Sequence, residues 1–259
     1  MIKVEVFMEI VFFCAIGVGF STILGAIIGF ILKRPAQKFN DIMLSFASGV
    51  MLSASIWGLI IPALESGGNL SFLVTILGLF CGALAIEVCN KIVPHLHSIT
   101  GLDDGHLSQN EDKINKVLLF VIAIAVHNLP EGIATGVSFG TGNINDAIMV
   151  ALAIALQNIP EGMVIIGPML SVGINKKRTL GIAFLTGAIE IIGTLLGYLC
   201  VSVASFILPF FLSLAGGSMI YVIADEMIPE THQGKNAKIS SYALLFGFSL
   251  MILINALLN

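Results

Sequence analysis

The feature that most constrains this chain is a succession of long apolar runs, each close to the 20 or so residues a helix needs to cross a hydrocarbon layer of about 30 Å. They cover residues 7–32, 42–63, 70–88, 117–139, 147–170, 180–201, 207–228 and 242–258. With no water in that layer, a backbone satisfies its own polar groups only as a helix or a closed barrel, and unbroken runs of this length fit the helix. Composition removes the soluble alternative. Only 11% of the residues are charged and 57% are hydrophobic, whereas a soluble domain carries about 25% charge. The expectation is an all-α integral membrane protein with eight spans in one domain, 1–259. The first run is too long for a cleaved leader, and no small-residue cleavage pattern follows it.

Most gaps between runs hold helix breakers: Lys33-Arg34-Pro35, Ser66-Gly67-Gly68-Asn69, Gly140-Thr141-Gly142-Asn143 and Asn175-Lys176-Lys177-Arg178. One gap is longer, a polar loop at 92–115 with His95, His97, Asp103, Asp104, His106, Glu111 and Asp112. Lys and Arg placement sets the orientation, because cytoplasmic loops retain them. With the N-terminus outside, all of the 12 basic residues except Lys3 fall on the inner side. A missing span would invert every later loop, so eight spans, both termini outside and a cytoplasmic 92–115 loop are expected together.

The charges are segregated by loop, so the net charge of −4 says little about partners, and no basic cluster interleaved with aromatics points to nucleic acid. The 4 cysteines, Cys14, Cys81, Cys89 and Cys200, lie inside apolar runs without a C-x-x-C pair, and read as small packing residues.

An internal repeat occupies the centre. His127-Asn128-Leu129-Pro130-Glu131-Gly132 in span four returns thirty residues later as Gln157-Asn158-Ile159-Pro160-Glu161-Gly162 in span five. Adjacent spans run in opposite directions, so the repeat is inverted, and inverted repeats in transporters place the substrate site near the bilayer midplane. Depth agrees. His127 lies eleven residues beyond Lys116, about 16 Å at a rise of 1.5 Å per residue. Gln157 lies equally far beyond Asp146, and Glu190 twelve residues beyond Arg178 in span six.

Glu131, Glu161 and Glu190 therefore sit at a depth where a charge costs about 2.5–3.5 kcal/mol even on the lenient insertion scale. No Lys or Arg shares that depth, so they must be protonated, open to a water-filled cavity, or neutralised by a bound cation. Their neighbours favour the cation. His127, Asn128 and Glu131 lie near one helix face at i, i+1 and i+4, and Gln157, Asn158 and Glu161 repeat the arrangement. Imidazole and carboxylate suit zinc and similar ions, and amide oxygens can complete the shell. Pro130 and Pro160 cannot donate to the carbonyls of Val126 and Leu156, which adds backbone oxygen beside the carboxylates. Polar residues that merely glue helices would not need three carboxylates and a histidine at matched depth. One divalent ion leaves the carboxylate trio at −1 and two would leave +1, so one ion is held firmly, with room for a second shared by Glu131 and Glu161.

Other polar positions leave two readings open. Glu65 gathers cations at the outer entrance or is an interfacial charge, and Met51 joins it there or fills space in the packing. Asp225, Glu226, Glu230 and His232 form an exit-side metal site or a solvated helix end. His95, His97 and His106 hold or sense metal or are incidental to a polar loop. An intramembrane metalloprotease would need a motif such as H-E-x-x-H, which one membrane-depth histidine cannot supply. A membrane metal sensor using the loop is the other alternative.

The paired motif resembles the signature of the ZIP (Zrt/Irt-like) divalent metal transporters, particularly the bacterial GufA-like branch. The surroundings of Glu190 (Gly-Ala-Ile-Glu-Ile-Ile-Gly), the Met51–Glu65 stretch and the Asp225–His232 run are also similar. The resemblance covers nearly the whole chain. It implies an eight-helix 3+2+3 bundle, a homodimer in the cytoplasmic membrane of a bacterium, and no enzymatic activity or organic cofactor. It also implies a metal site from His127, Asn128, Glu131, Gln157, Asn158, Glu161 and Glu190 that passes metal into the cytoplasm, Zn2+ foremost and Cd2+, Fe2+, Mn2+, Co2+ or Ni2+ in some members. The chain departs from part of the family at Gln157 and Asn158, where several members carry His or Asp, and at Asp225, where some carry His.

Overall fold

The computed structural model describes residues 2–32, 37–66, 68–99, 109–171, 173–203 and 205–258, and the side-chain surroundings of these except at 2–7, 69, 92–99, 109–121, 123–124, 171 and 205. They form α1 (Ile2–Leu32), α2 (Gln37–Ser66), α3 (Ser71–Ile99), α4 (Gln109–Ser138), α5 (Ile144–Ser171), α6 (Lys176–Val203), α7 (Leu208–His232) and α8 (Ala237–Leu258), with no strand among the described residues. Seven of these helices are, by length and composition, long and apolar enough to cross a membrane. Burial is reversed relative to a soluble protein. Phe13, Phe80 and Leu257 are 71%, 73% and 76% exposed, whereas Gln157, Asn158 and Glu190 are fully buried. An apolar belt around a polar interior is the arrangement lipid demands, and the chain is a multi-pass all-α membrane bundle.

The helix ends follow local chemistry. The Asn143 side-chain oxygen accepts the Asn145 N–H at 3.1 Å and starts α5, and the Asn175 side-chain oxygen accepts the Arg178 N–H at 2.9 Å and starts α6. Gly142 and Gly173, at φ 76° and 85°, make the left-handed turns that end the preceding helices. Helices extend beyond the apolar runs because a run marks only the lipid-buried part. The stretch expected as a loop at 92–115 is shorter for the same reason: α3 continues through Ile99 and α4 begins at Gln109, since Asn, Gln, Glu and Lys end an apolar run without ending a helix. His106, Asp103 and Asp104 lie outside the described residues.

The helix packing has an internal symmetry. α1 packs on α5 as α6 packs on α4, α3 on α7 as α8 on α2, and α2 on α5 as α7 on α4. Exchanging α1–α3 with α6–α8, and α4 with α5, maps this pattern onto itself. Close approaches obey the same exchange. A Cβ at Gly132 would run into the Glu190 carbonyl oxygen, and one at Gly162 into that of Thr22; Gly25 meets Ile159 as Gly193 meets Leu129, and Gly49 meets Leu244 as Gly217 meets Leu79. Small residues let helix backbones touch where lipid offers no hydrophobic drive.

Two π-helical turns, Ser55–Ile60 in α2 and Ile223–Met227 in α7, correspond in this exchange. Each ends where Ile61 or Ile228 donates five residues back, to Ile56 or Ile223, and each stands just before a proline, Pro62 or Pro229. Proline lacks the N–H for an i→i−4 bond and crowds the carbonyl four residues earlier. Widening the turn relieves that crowding and re-aims the side chains within it.

Candidate metal centre

The centre lies where α1, α4, α5 and α6 meet. Gly132 and Gly162 bring the backbones of α4 and α5 against α6 and α1, so the residues just before them face inward. His127, Asn128, Glu131, Gln157, Asn158 and Glu190 are all buried, and Glu161 is partly buried. Glu131, Glu161 and Glu190 lie within electrostatic reach of one another.

Amides bridge them. Gln157 Nε2 donates to Glu131 Oε1 at 2.8 Å. Asn158 Nδ2 donates to Glu190 Oε2 at 2.6 Å and to the Val18 carbonyl at 3.2 Å. Asn128 Nδ2 donates to Glu190 Oε1, which also accepts the Thr22 hydroxyl at 2.8 Å. Because each amide nitrogen faces a carboxylate, the amide oxygens point elsewhere. Four buried oxygens, Asn128 Oδ1, Glu131 Oε2, Gln157 Oε1 and Asn158 Oδ1, accept no hydrogen bond from the described residues. A buried polar atom without a partner costs about 1–3 kcal/mol, and these four acceptors call for a hydrogen-bond donor or a cation. Among the described residues no three His, Cys, Asp or Glu side chains form a preformed metal cage.

His127 faces away from the carboxylate trio. Its Nε2 lies 3.0 Å from Glu226 Oε1, and Asn90 Nδ2 of α3 donates to the same oxygen at 2.9 Å. Glu226 belongs to the π-turn of α7, so the expected exit residue and the expected central histidine are one contact apart. Of the remaining expected exit residues, Glu230 lies within electrostatic reach of Glu226. Asp225 and Glu230 are exposed. His232 is engaged within its own surroundings, with Nδ1 2.9 Å from the Ile228 carbonyl oxygen and Nε2 3.0 Å from Ser241 Oγ. His95 and His97 lie where side chains are not described.

At the other end Glu65 is exposed. Met51 does not stand on the rim with it: it is 1% exposed, packed in the main apolar cluster with Ala47, Val50 and Ala54. Met51 lies more than three turns below Glu65 along α2, so the two do not share one rim. Cys89 and Cys200 are exposed on the apolar surface rather than packed.

Two residues of the site escaped the sequence. Thr22 gave no signal, since a threonine in a span ordinarily bonds its own helix. Asn90 carried a weak one, an amide at the inner end of span three beside Glu87 and Lys91, which pair at 2.5 Å.

Comparison with known proteins bears on this geometry. The pattern of the family described as ZIP Zinc transporter matches residues 103–255. The chain is 35% identical to the zinc transporter GufA of Myxococcus xanthus, over 92% of this chain and 94% of that protein. It is 36% identical to the zinc transporter ZIPB of Bordetella bronchiseptica, over 92% of this chain and 78% of that one. It is 34% identical to the zinc transporter ZupT of Lysinibacillus sphaericus, over 90% and 91%.

Proposed function

This chain belongs to the ZIP zinc transporter family, and from that premise we propose that it carries Zn2+ into the cytoplasm through the buried oxygen cluster between α4, α5 and α6. It is a transporter of divalent metal ions and not an enzyme. The observation that carries the site assignment is the set of buried acceptors, Asn128 Oδ1, Glu131 Oε2, Gln157 Oε1 and Asn158 Oδ1, beside the Glu161 carboxylate. Oxygen donors near 2.0–2.2 Å satisfy Zn2+, and a divalent cargo offsets most of the charge of the trio. His127 supplies the nitrogen when it leaves Glu226. Glu190 contributes its charge and orients the two asparagines.

In the proposed cycle the ion sheds water to enter this shell and passes to His127, Glu226 and then the exposed carboxylates of Asp225 and Glu230. The inward direction is supported by this inner line of acidic groups. On the outer side the equivalent π-turn presents Gly58 against Val150. Rocking of one helix group against the other would switch access. We assign the protein to the cytoplasmic membrane of a bacterium as a homodimer, with Cd2+, Fe2+, Mn2+, Co2+ and Ni2+ as candidate competing cargoes.

The test is zinc uptake into proteoliposomes of the full chain. Glu131→Ala combined with Glu161→Ala is expected to reduce uptake to that of protein-free vesicles. Uptake at the wild-type rate by that variant would remove the site assignment.

A further inference from the structure

We infer that Thr22 of α1 is a positioning residue for the cargo site, holding the Glu190 carboxylate so that Asn128 and Asn158 present their amide oxygens to the ion. The inference rests on the cluster being the cargo site, and adds a helix and a residue to it.

The Glu190 carboxylate receives three donors: Thr22 Oγ1 and Asn128 Nδ2 on Oε1, and Asn158 Nδ2 on Oε2. An amide group is planar, so fixing its nitrogen against a carboxylate fixes where its oxygen lies. Both asparagine oxygens are buried and accept nothing from the described residues. Glu190 is thus a template whose orientation sets two of the four unpartnered acceptors, and Thr22 is the third point that pins it.

Thr22 is suited to this by what it does not do. Serine and threonine inside helices usually return the hydroxyl to a carbonyl three or four residues back. Ser21 does so to Val18 at 2.5 Å, Thr186 to Ala183 at 3.0 Å and Thr194 to Glu190 at 2.9 Å. Of the two carbonyls in its reach, that of Val18 already accepts Ser21 Oγ and Asn158 Nδ2. The Thr22 hydroxyl crosses to α6 instead, 1% exposed. β-Branching limits its rotamers, so the hydroxyl is aimed before the ion arrives. The close approach that permits this comes from Gly19 and Gly187, each of whose Cβ would meet the carbonyl oxygen of the other.

The symmetry of the packing explains why a hydroxyl stands here. Gly132 abuts Glu190 as Gly162 abuts Thr22, so Thr22 is the α1 counterpart of Glu190. A second carboxylate at this place would oppose the first, whereas a hydroxyl donates to it.

The experiment measures zinc uptake against zinc concentration in proteoliposomes for the wild type, Thr22→Val, Thr22→Ala and Thr22→Ser. Thr22→Val keeps the volume and branching but removes the donor. It is expected to raise KM about tenfold, the loss of one charge-assisted hydrogen bond, with kcat little changed because ground-state binding is what weakens. Thr22→Ala should match it, and Thr22→Ser should restore KM. A companion measurement, the zinc concentration needed to raise the Tm of the purified protein, should shift by the same factor. Wild-type KM in both Thr22→Val and Thr22→Ala overturns the inference, as does a Thr22→Ser variant as impaired as Thr22→Val, since shape rather than the hydroxyl would then matter. Failure of the cargo-site reading looks different: wild-type uptake would be indifferent to Glu131→Ala with Glu161→Ala.

Discussion

The first three helices and the last three occupy equivalent places in the bundle but carry different chemistry. α1–α3 and α6–α8 pack on α5 and α4 in matching ways, each half has a π-turn before a proline, and each meets a glycine of the paired motif with its backbone. Yet Thr22 stands opposite Glu190. The π-turn of α2 offers Trp57, edge-on to Phe248 at 5.5 Å, and Gly58, whereas that of α7 offers Asp225 and Glu226. Backbone contacts are shared and polar groups are not. The shared part is a common backbone scaffold, and the unshared part gives the two halves different polar groups. Sequence repeats alone would have suggested two similar halves; the side chains show that the likeness stops at the backbone.

The strongest way to break this comparison is to attack the shared backbone contacts. Gly132→Val and Gly162→Val place side chains against the carbonyls of Glu190 and Thr22, and both should abolish folded protein, read as loss of the monodisperse peak after detergent extraction. If only one did so, the two contacts would not be equivalent. Next is the unshared charge. Glu190→Ala leaves the buried donors of Thr22 and Asn128 facing nothing, each costing about 1–3 kcal/mol, and leaves Asn158 Nδ2 only the Val18 carbonyl. Zinc uptake at low concentration should fall roughly a hundredfold and the Tm should fall with it. The inner π-turn comes third: Glu226→Ala removes the carboxylate beside His127 Nε2 and should lower the maximal uptake rate about tenfold, the scale of one close contact to a charged group, whereas Gly58→Ala in the outer turn should act through packing against Val150 and leave zinc KM unchanged. Smallest is Asn90→Ala, which removes one of the two contacts to Glu226 Oε1 and should cost roughly threefold in rate, an ordinary hydrogen bond.

The membrane bundle was legible from the apolar runs, because lipid permits so few backbone solutions. The burial of Glu131 and Glu190 was legible from a physical conflict: carboxylates at a depth with no basic partner. What escaped depends on how helices turn and touch. The bond from Thr22 to Glu190 joins distant helices and follows from the Gly19–Gly187 approach, which no local pattern announces. The π-turns come from Pro62 and Pro229, whose presence marks a disturbance without revealing that the helix widens rather than kinks. Glu226 read as an exit residue because it lies near the inner end of its span, and its reach to His127 depends on that widened turn.

The most direct measurement is an anomalous difference map from crystals of the full chain grown with zinc and collected at the zinc edge. The account predicts a peak between α4 and α5 with Glu131 Oε2 and at least one of Gln157, Asn128 or Asn158 within coordination distance, about 2.0–2.2 Å for oxygen. A zinc peak confined to the exposed carboxylates of Asp225 and Glu230, with Glu131 Oε2 bonded to protein alone, would contradict it.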